Sequence, residues 1–224
     1  MKITIIIFLT VTLSLKCFSQ QQNSTFDIID STCLLNPQFD SINNISIFSE
    51  QLKLIIKGLS QEKPLLLKEM IEFEKTKNFP ESSLGHYYSV SESIFPKIKK
   101  YKIGNPIRYR RIECPYLDGH AEYFFTKRTK KVMLVMFEWT EFKPKNVDLF
   151  TKDTTDPILV RKIFEVKYNY LIKKITDELG QKLTIDQEKD SGRRDTKWKS
   201  ANGISVYLFM FDNYNEIQLA IYKE

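Results

Sequence analysis

The chain reads as an α+β protein in which antiparallel β-sheet packs against N-terminal helices and one long helix near 157–179. Three observations predict this class. Apolar residues recur at helical spacing twice before residue 80, the period changes to two from Ile107, and one further helical stretch separates two blocks of strands. Composition sets the outer limits. With 42% hydrophobic and 13% aromatic residues, the 224-residue chain can bury a core, which excludes a disordered protein and suits one domain or two small ones. A mean hydropathy of −0.33 excludes a transmembrane bundle. Seven scattered glycines are few for a nucleotide-binding α/β enzyme, whose phosphate loops need clustered residues without Cβ.

The elements follow in order. Met1-Lys2 is a short positive start, and Ile3–Leu15 is an apolar run shorter than the ~20 residues of a spanning helix. Residues 1–19 therefore read as a signal peptide cleaved after Ser19, with small residues at Cys17 and Ser19. This makes the protein secreted or periplasmic, with no transmembrane anchor after cleavage. Lipidation at Cys17 is the weaker reading, because Leu15-Lys16 precedes it where lipoprotein signals carry small residues. Residues 20–44, rich in Gln, Asn and Ser, form an extended lead-in, and 45–224 is expected to be a single α+β domain with a possible subdivision near 145–156.

Ile45, Phe48, Leu52, Ile55, Ile56 and Leu59 line one face of a helix over 46–60. Pro64 is expected to open a second helix over 64–77, with Leu66, Leu67, Met70, Ile71 and Phe73 on its apolar face. The stretch 81–106 shows no clear period. IRYRRIEC, HAEYFFT and KVMLVMFEWT then alternate as a meander, joined by the PYLDG and KRTK connections. Val132–Phe137, apolar throughout, predicts a central strand covered on both faces, whereas Arg108 and Arg110 mark a face turned to water. Pro157 and the repeat Phe164, Tyr168, Leu171, Ile175, Leu179 predict a helix closed by Gly180. LTIDQ, TKWKS, ISVYLFMF and EIQLAIY follow as strands, with Asn202-Gly203 as a hairpin signal.

A helix closed by Gly180, a strand with Trp198 between Lys197 and Lys199, and an Asn-Gly hairpin make a C-terminal unit that resembles the tail of small uncharacterised secreted bacterial proteins. The resemblance covers less than a third of the chain. It implies fold and compartment and carries no activity across. Trp198 is expected to pack on the 157–179 helix.

Motifs with a chemical mechanism are sparse. Ser60-Gln61-Glu62-Lys63 matches the S-x-x-K motif of penicillin-binding proteins and class A β-lactamases, but neither of its companions S-D-N and K-T-G follows and Pro64 breaks the helical context. His86 and His120 are too few to build a typical zinc site, so no metal or cofactor is expected. In an oxidising compartment Cys33 and Cys114 could form one disulfide. The competing use of Cys114 is catalytic. If PYLDG is the loop of a hairpin, Cys114 and His120 face each other across strands with Glu122 on the same side as His120, and a thiol beside an oriented imidazole is the arrangement of a thiolate nucleophile.

Charge placement is the stronger lead. Between Lys97 and Lys131 eleven basic residues stand against three acids, a net +8 that leaves −4 on the rest of a +4 mature chain. The candidate binding residues are Lys99, Lys100, Arg108, Arg110, Arg111, Lys127, Arg128, Lys130 and Lys131, with Tyr101, Tyr109, Tyr116 and Tyr123 interleaved for stacking. The bland reading of the same charges is an edge guard on a sheet. The sequence thus points to a non-enzymatic binding or envelope-associated module whose basic sheet face meets an anionic glycan, lipid headgroup or protein. Nucleic acid is disfavoured, since no recognition motif for it is present. The alternatives are a small thiol/His enzyme and an inhibitor or immunity-type protein.

Overall fold

A computed structural model describes residues 41–61, 63–82, 90–114, 117–141, 157–180, 184–187, 193–211 and 216–224. The export signal and its cleavage point, Cys33, His86, Tyr116 and the expected subdivision near 145–156 lie outside the described residues. So do the side chain of Cys114 and, with Cys33, the expected disulfide. The fold is α+β. Helices α1 (Ser41–Ser60) and α2 (Leu67–Thr76) precede strands β1 (Glu81–Ser82), β2 (Ile107–Cys114), β3 (Leu117–Phe125) and β4 (Val132–Glu141). Helix α3 (Pro157–Leu179) precedes β5 (Thr184–Gln187), β6 (Arg193–Lys199), β7 (Ile204–Phe211) and β8 (Glu216–Lys223).

All eight strands join one antiparallel sheet in the order β1-β2-β3-β4-β8-β7-β6-β5. Each half of the chain is helix followed by meander, and the last strands of the two halves meet at the centre, where Leu134 pairs with Tyr222 and Thr140 with Glu216. The apolar pattern explains this order. β4 is buried from Val132 to Trp139 and takes a central place, as its unbroken apolar run predicts. The edge strands β1 and β5 are two and four residues long among the described residues.

The two faces of the sheet have different covers. One face packs against the helices: Phe48, Leu52 and Ile55 of α1, Met70 of α2, and Phe164, Leu171 and Ile175 of α3 share a core with Tyr123, Phe137, Trp139, Trp198, Leu208 and Leu219. Trp198 is buried under α3 and its Nε1 donates to Thr176 Oγ1 at 3.2 Å, so it packs as its sequence context predicts. On the second face the segment 90–103 crosses the sheet, with Val90 and Phe95 against Phe124, Met133, Leu134, Phe209 and Tyr222.

Local boundaries differ from the sequence reading in several places. α1 begins at Ser41, so the last four residues of the expected lead-in are helical. Pro64 stays outside α2: Leu66 and Val132 engage the chain there, Leu66 bridging Lys131 and Val132 N donating to Leu65 O at 2.9 Å. The helix starts at Leu67 because Glu69 Oε2 accepts from Leu66 N at 2.8 Å. The β6–β7 connection is longer than a two-residue hairpin, with Gly203 at φ +75° and Gly203 N donating to Ser200 O at 3.0 Å. Gly180, at φ +88°, closes α3 as expected.

Candidate functional site

The net +8 segment divides into two populations once strand alternation is applied. Along β2, Tyr109, Arg111 and Glu113 face the helices while Arg108 and Arg110 face the second side of the sheet. β3 begins at Leu117, so Leu117, Asp118 and Gly119 of the expected PYLDG connection are strand. A register shift between Ile112 and Cys114 then sets Cys114 opposite Leu117 and His120 opposite Arg110. The expected cross-strand pair of Cys114 and His120 is therefore not formed. The five-residue PYLDG loop overestimated the connection, and three residues of it are ladder.

On the second face His120 and Glu122 do share a side, as expected, but their neighbours are arginines and carboxylates. Arg108 lies between two acids, with Nη2 donating to Glu138 Oε2 at 2.5 Å and Nε 3.3 Å from Glu122 Oε1. Arg110 grips Asp118 through two bonds of 2.8 and 2.7 Å. Arg108 is 13% exposed, so the face expected to meet water through Arg108 and Arg110 is a largely buried ion cluster. Burial dominates its titration. It pushes the Glu122 carboxyl up to about 7, against the pull of Arg108 and with the help of Glu138, and raises Glu138 as well. His120 is lowered to about 4 by burial and by the charges of Arg108 and Arg110, with Asp118 opposing.

Arg111 faces the helices. Its guanidinium bonds the Glu74 carboxylate and stacks 4.4 Å from the centre of Phe79. Glu74 also accepts from Tyr123 OH and, at 2.9 Å, from Gln51 Nε2, so one buried carboxylate joins α1, α2, β2 and β3. A second buried pair, Glu113 with Lys167, joins β2 to α3, and Trp139 Nε1 donates to the same carboxylate at 2.8 Å. The interleaved tyrosines follow the same logic. Tyr109 and Tyr123 are buried on the helix side, and Tyr101 stacks on Phe95 with the rings nearly parallel. They serve the core, so the expected stacking platform is not there among the described residues.

The remaining basic residues gather at one end of the sheet. Three backbone segments interlock there. Lys127 N donates to Lys102 O at 2.9 Å, Ile103 bridges Thr126, and Leu67 N donates to Lys130 O at 2.9 Å. Lys100, Lys102, Lys127, Arg128 and Lys130 are exposed, and Lys131 is half-buried. Lys223, at the end of β8, arrives beside them because β8 runs down the flank of β4. Among the described residues none of these seven has a carboxylate within ion-pair distance, whereas Lys99 pairs with Glu92 and Lys199 with Glu224. Lys130 holds φ +56° in the β3–β4 turn, a left-handed position where glycine is the usual residue. Its ammonium sits 5.0 Å from the centre of Phe125.

Sequence reasoning named Lys99, Lys100, Lys127, Arg128, Lys130 and Lys131 at this end and missed Lys102 as a site residue and Lys223 altogether. The signal for Lys223 was a lysine ending an apolar strand, which acquires meaning only with the sheet order. Among the described residues no group of three or more His, Cys, Asp or Glu side chains is arranged to hold a metal ion. No helix among them is long and apolar enough to cross a membrane. Comparisons with family models, curated proteins and solved structures find no match to this chain, so the functional reading rests on its own geometry.

Proposed function

We propose that the chain is an exported, non-enzymatic binding module that docks through the basic end of its sheet on anionic phospholipid headgroups. One observation carries the reading: seven cations from two interlocked segments and the tip of β8 gather at that end without carboxylate partners among the described residues. Six of them are lysines, compact point charges suited to phosphate. Each is worth about 1 kcal/mol at an anionic surface, so together they would hold a small protein there. A glycan or single-stranded polymer would call for stacking rings, and Tyr101, Tyr109 and Tyr123 are engaged in packing. The left-handed lysine in the turn supports the reading from a different side, since Lys130 keeps a charge where backbone comfort favours glycine. The export signal read in residues 1–19 would deliver the protein to an envelope surface.

The test is co-sedimentation with vesicles of phosphatidylcholine alone and of phosphatidylcholine mixed with phosphatidylglycerol. Adsorption to the mixed vesicles only, weakening as salt rises, is the expected outcome. Equal adsorption to both compositions, or to neither, would remove the reading.

A further inference from the structure

Beside the basic end, a groove of about 240 Å³ opens between the α1–α2 connection and the ends of β4 and β8. Resting on the membrane-docking reading, we propose that this groove seats the phosphate and glycerol of one anionic phospholipid molecule. Lys131 and Lys223 would supply the charge for the phosphate.

The lining has two characters. Lys131, Lys223 and Tyr101 offer polar groups, and Leu59, Leu65 and Met133 offer an apolar wall. Glu224 also lines the groove, but its carboxylate is engaged: it pairs with Lys199 and accepts from Ser205 Oγ at 2.8 Å, and those bonds hold it below the ordinary glutamate range. Lys131 and Lys223 have no such partner among the described residues, so the groove keeps a positive side. Its volume is below the ~300 Å³ at which pockets begin to enclose drug-sized ligands, which suits a headgroup with the first carbons of its chains rather than a whole lipid. The wall is fixed in advance. A Cβ at Gly58 would come within 2.7 Å of Leu65 Cδ1, so glycine there lets the end of α1 lie directly on the connection. Lys131 N is tied to Thr126 Oγ1 at 3.2 Å, which anchors the groove to the basic turn.

A soluble headgroup separates this seat from general adsorption. Dihexanoyl phosphatidylglycerol below its micelle concentration, and inorganic phosphate, are titrated into the full-length protein by calorimetry. The short-chain lipid should saturate at one per chain and bind at least about tenfold more tightly than phosphate. Lys131→Met and Lys223→Met should each weaken it about fivefold, the effect of one lost charge at a phosphate, without moving the thermal midpoint. The triple variant Lys127→Glu, Arg128→Glu, Lys130→Glu should lose vesicle adsorption yet still saturate with the soluble lipid at one per chain. Vesicle adsorption without saturable short-chain binding would overturn the seat and leave the docking reading standing. Phosphate binding as tightly as the lipid would overturn it too, in favour of a free-phosphate site. Failure of the wild type to adsorb to anionic vesicles would remove both.

Discussion

Strand β2 and the β3–β4 turn come from one basic stretch of sequence and meet opposite fates. On β2 the basic residues are Arg108, Arg110 and Arg111, and each is given a carboxylate: Glu122 and Glu138, Asp118, and Glu74. At the turn the basic residues are Lys127, Arg128, Lys130 and Lys131, and among the described residues none of them is paired with an acid. The difference follows from position. A strand inside a sheet presses alternate side chains against neighbours on both faces, where a charge must be matched. A turn presents its side chains to solvent, where charge costs nothing to keep. Net charge over a segment therefore overstates the field it projects, and the part that projects is the part that leaves the sheet.

The comparison breaks most sharply at Arg111. Arg111→Glu sets two carboxylates against each other in a buried site, and even Glu74→Ala should cost about 3–5 kcal/mol by leaving the arginine uncompensated. Chemical denaturation checks both, and wild-type stability for Glu74→Ala would show that the buried network does not hold α1 and α2 to the sheet. At the turn the expectation reverses. The variant Lys127→Glu, Arg128→Glu, Lys130→Glu should leave stability within about 0.5 kcal/mol, as surface changes do. Reversal of three charges should weaken binding to anionic vesicles by at least about a hundredfold, since loss of the three cations alone is worth ~1 kcal/mol each.

The buried cluster should also reveal itself through pH. His120 has a folded pKa of about 4, below its ordinary 6.5, so the stability it contributes is present above 6.5 and lost as pH falls toward 4. Glu122 has a folded pKa of about 7, above its ordinary 4.5, so its contribution is present below 4.5 and lost as pH rises through 7. Between 4.5 and 6.5 the two oppose each other. Glu122→Gln should therefore make stability rise with pH across this window, and His120→Gln should make it fall, each by up to about 2–3 kcal/mol. Denaturation midpoints at pH 4.5, 5.5 and 6.5 check the signs, and identical slopes for the two variants would show that the cluster is not buried as described. The smallest effect belongs to Lys130→Gly. Relief of the left-handed backbone and the added chain entropy nearly cancel, so stability should stay within about 1 kcal/mol while vesicle affinity falls about fivefold for the one lost charge.

Much of the fold was legible in the sequence because burial is written in periodicity. The unbroken apolar run Val132–Phe137 marked the centre of the sheet, and Phe164, Tyr168, Leu171 and Ile175 marked the face of α3. What escaped was register. Leu117, Asp118 and Gly119 look like turn residues and are strand, and those three residues together with the one-residue register shift between Ile112 and Cys114 moved His120 four positions, from Cys114 to Arg110. Partners far apart in sequence also escaped. Nothing local says that Glu74 belongs to Arg111, or that Lys223 at the end of β8 stands beside Lys131. The site was half legible for the same reason: the lysines of the turn were visible as a cluster, while the fate of each arginine depended on which acid the sheet laid across from it.

The most direct test of the contrast between strand and turn is hydrogen–deuterium exchange with and without vesicles containing phosphatidylglycerol. Docking through the basic end predicts slowed exchange in residues 100–104 and 126–131, with 107–113 and 117–122 unchanged. Slowed exchange over 107–113, with the turn unaffected, would contradict it and return the binding role to the arginine-bearing face.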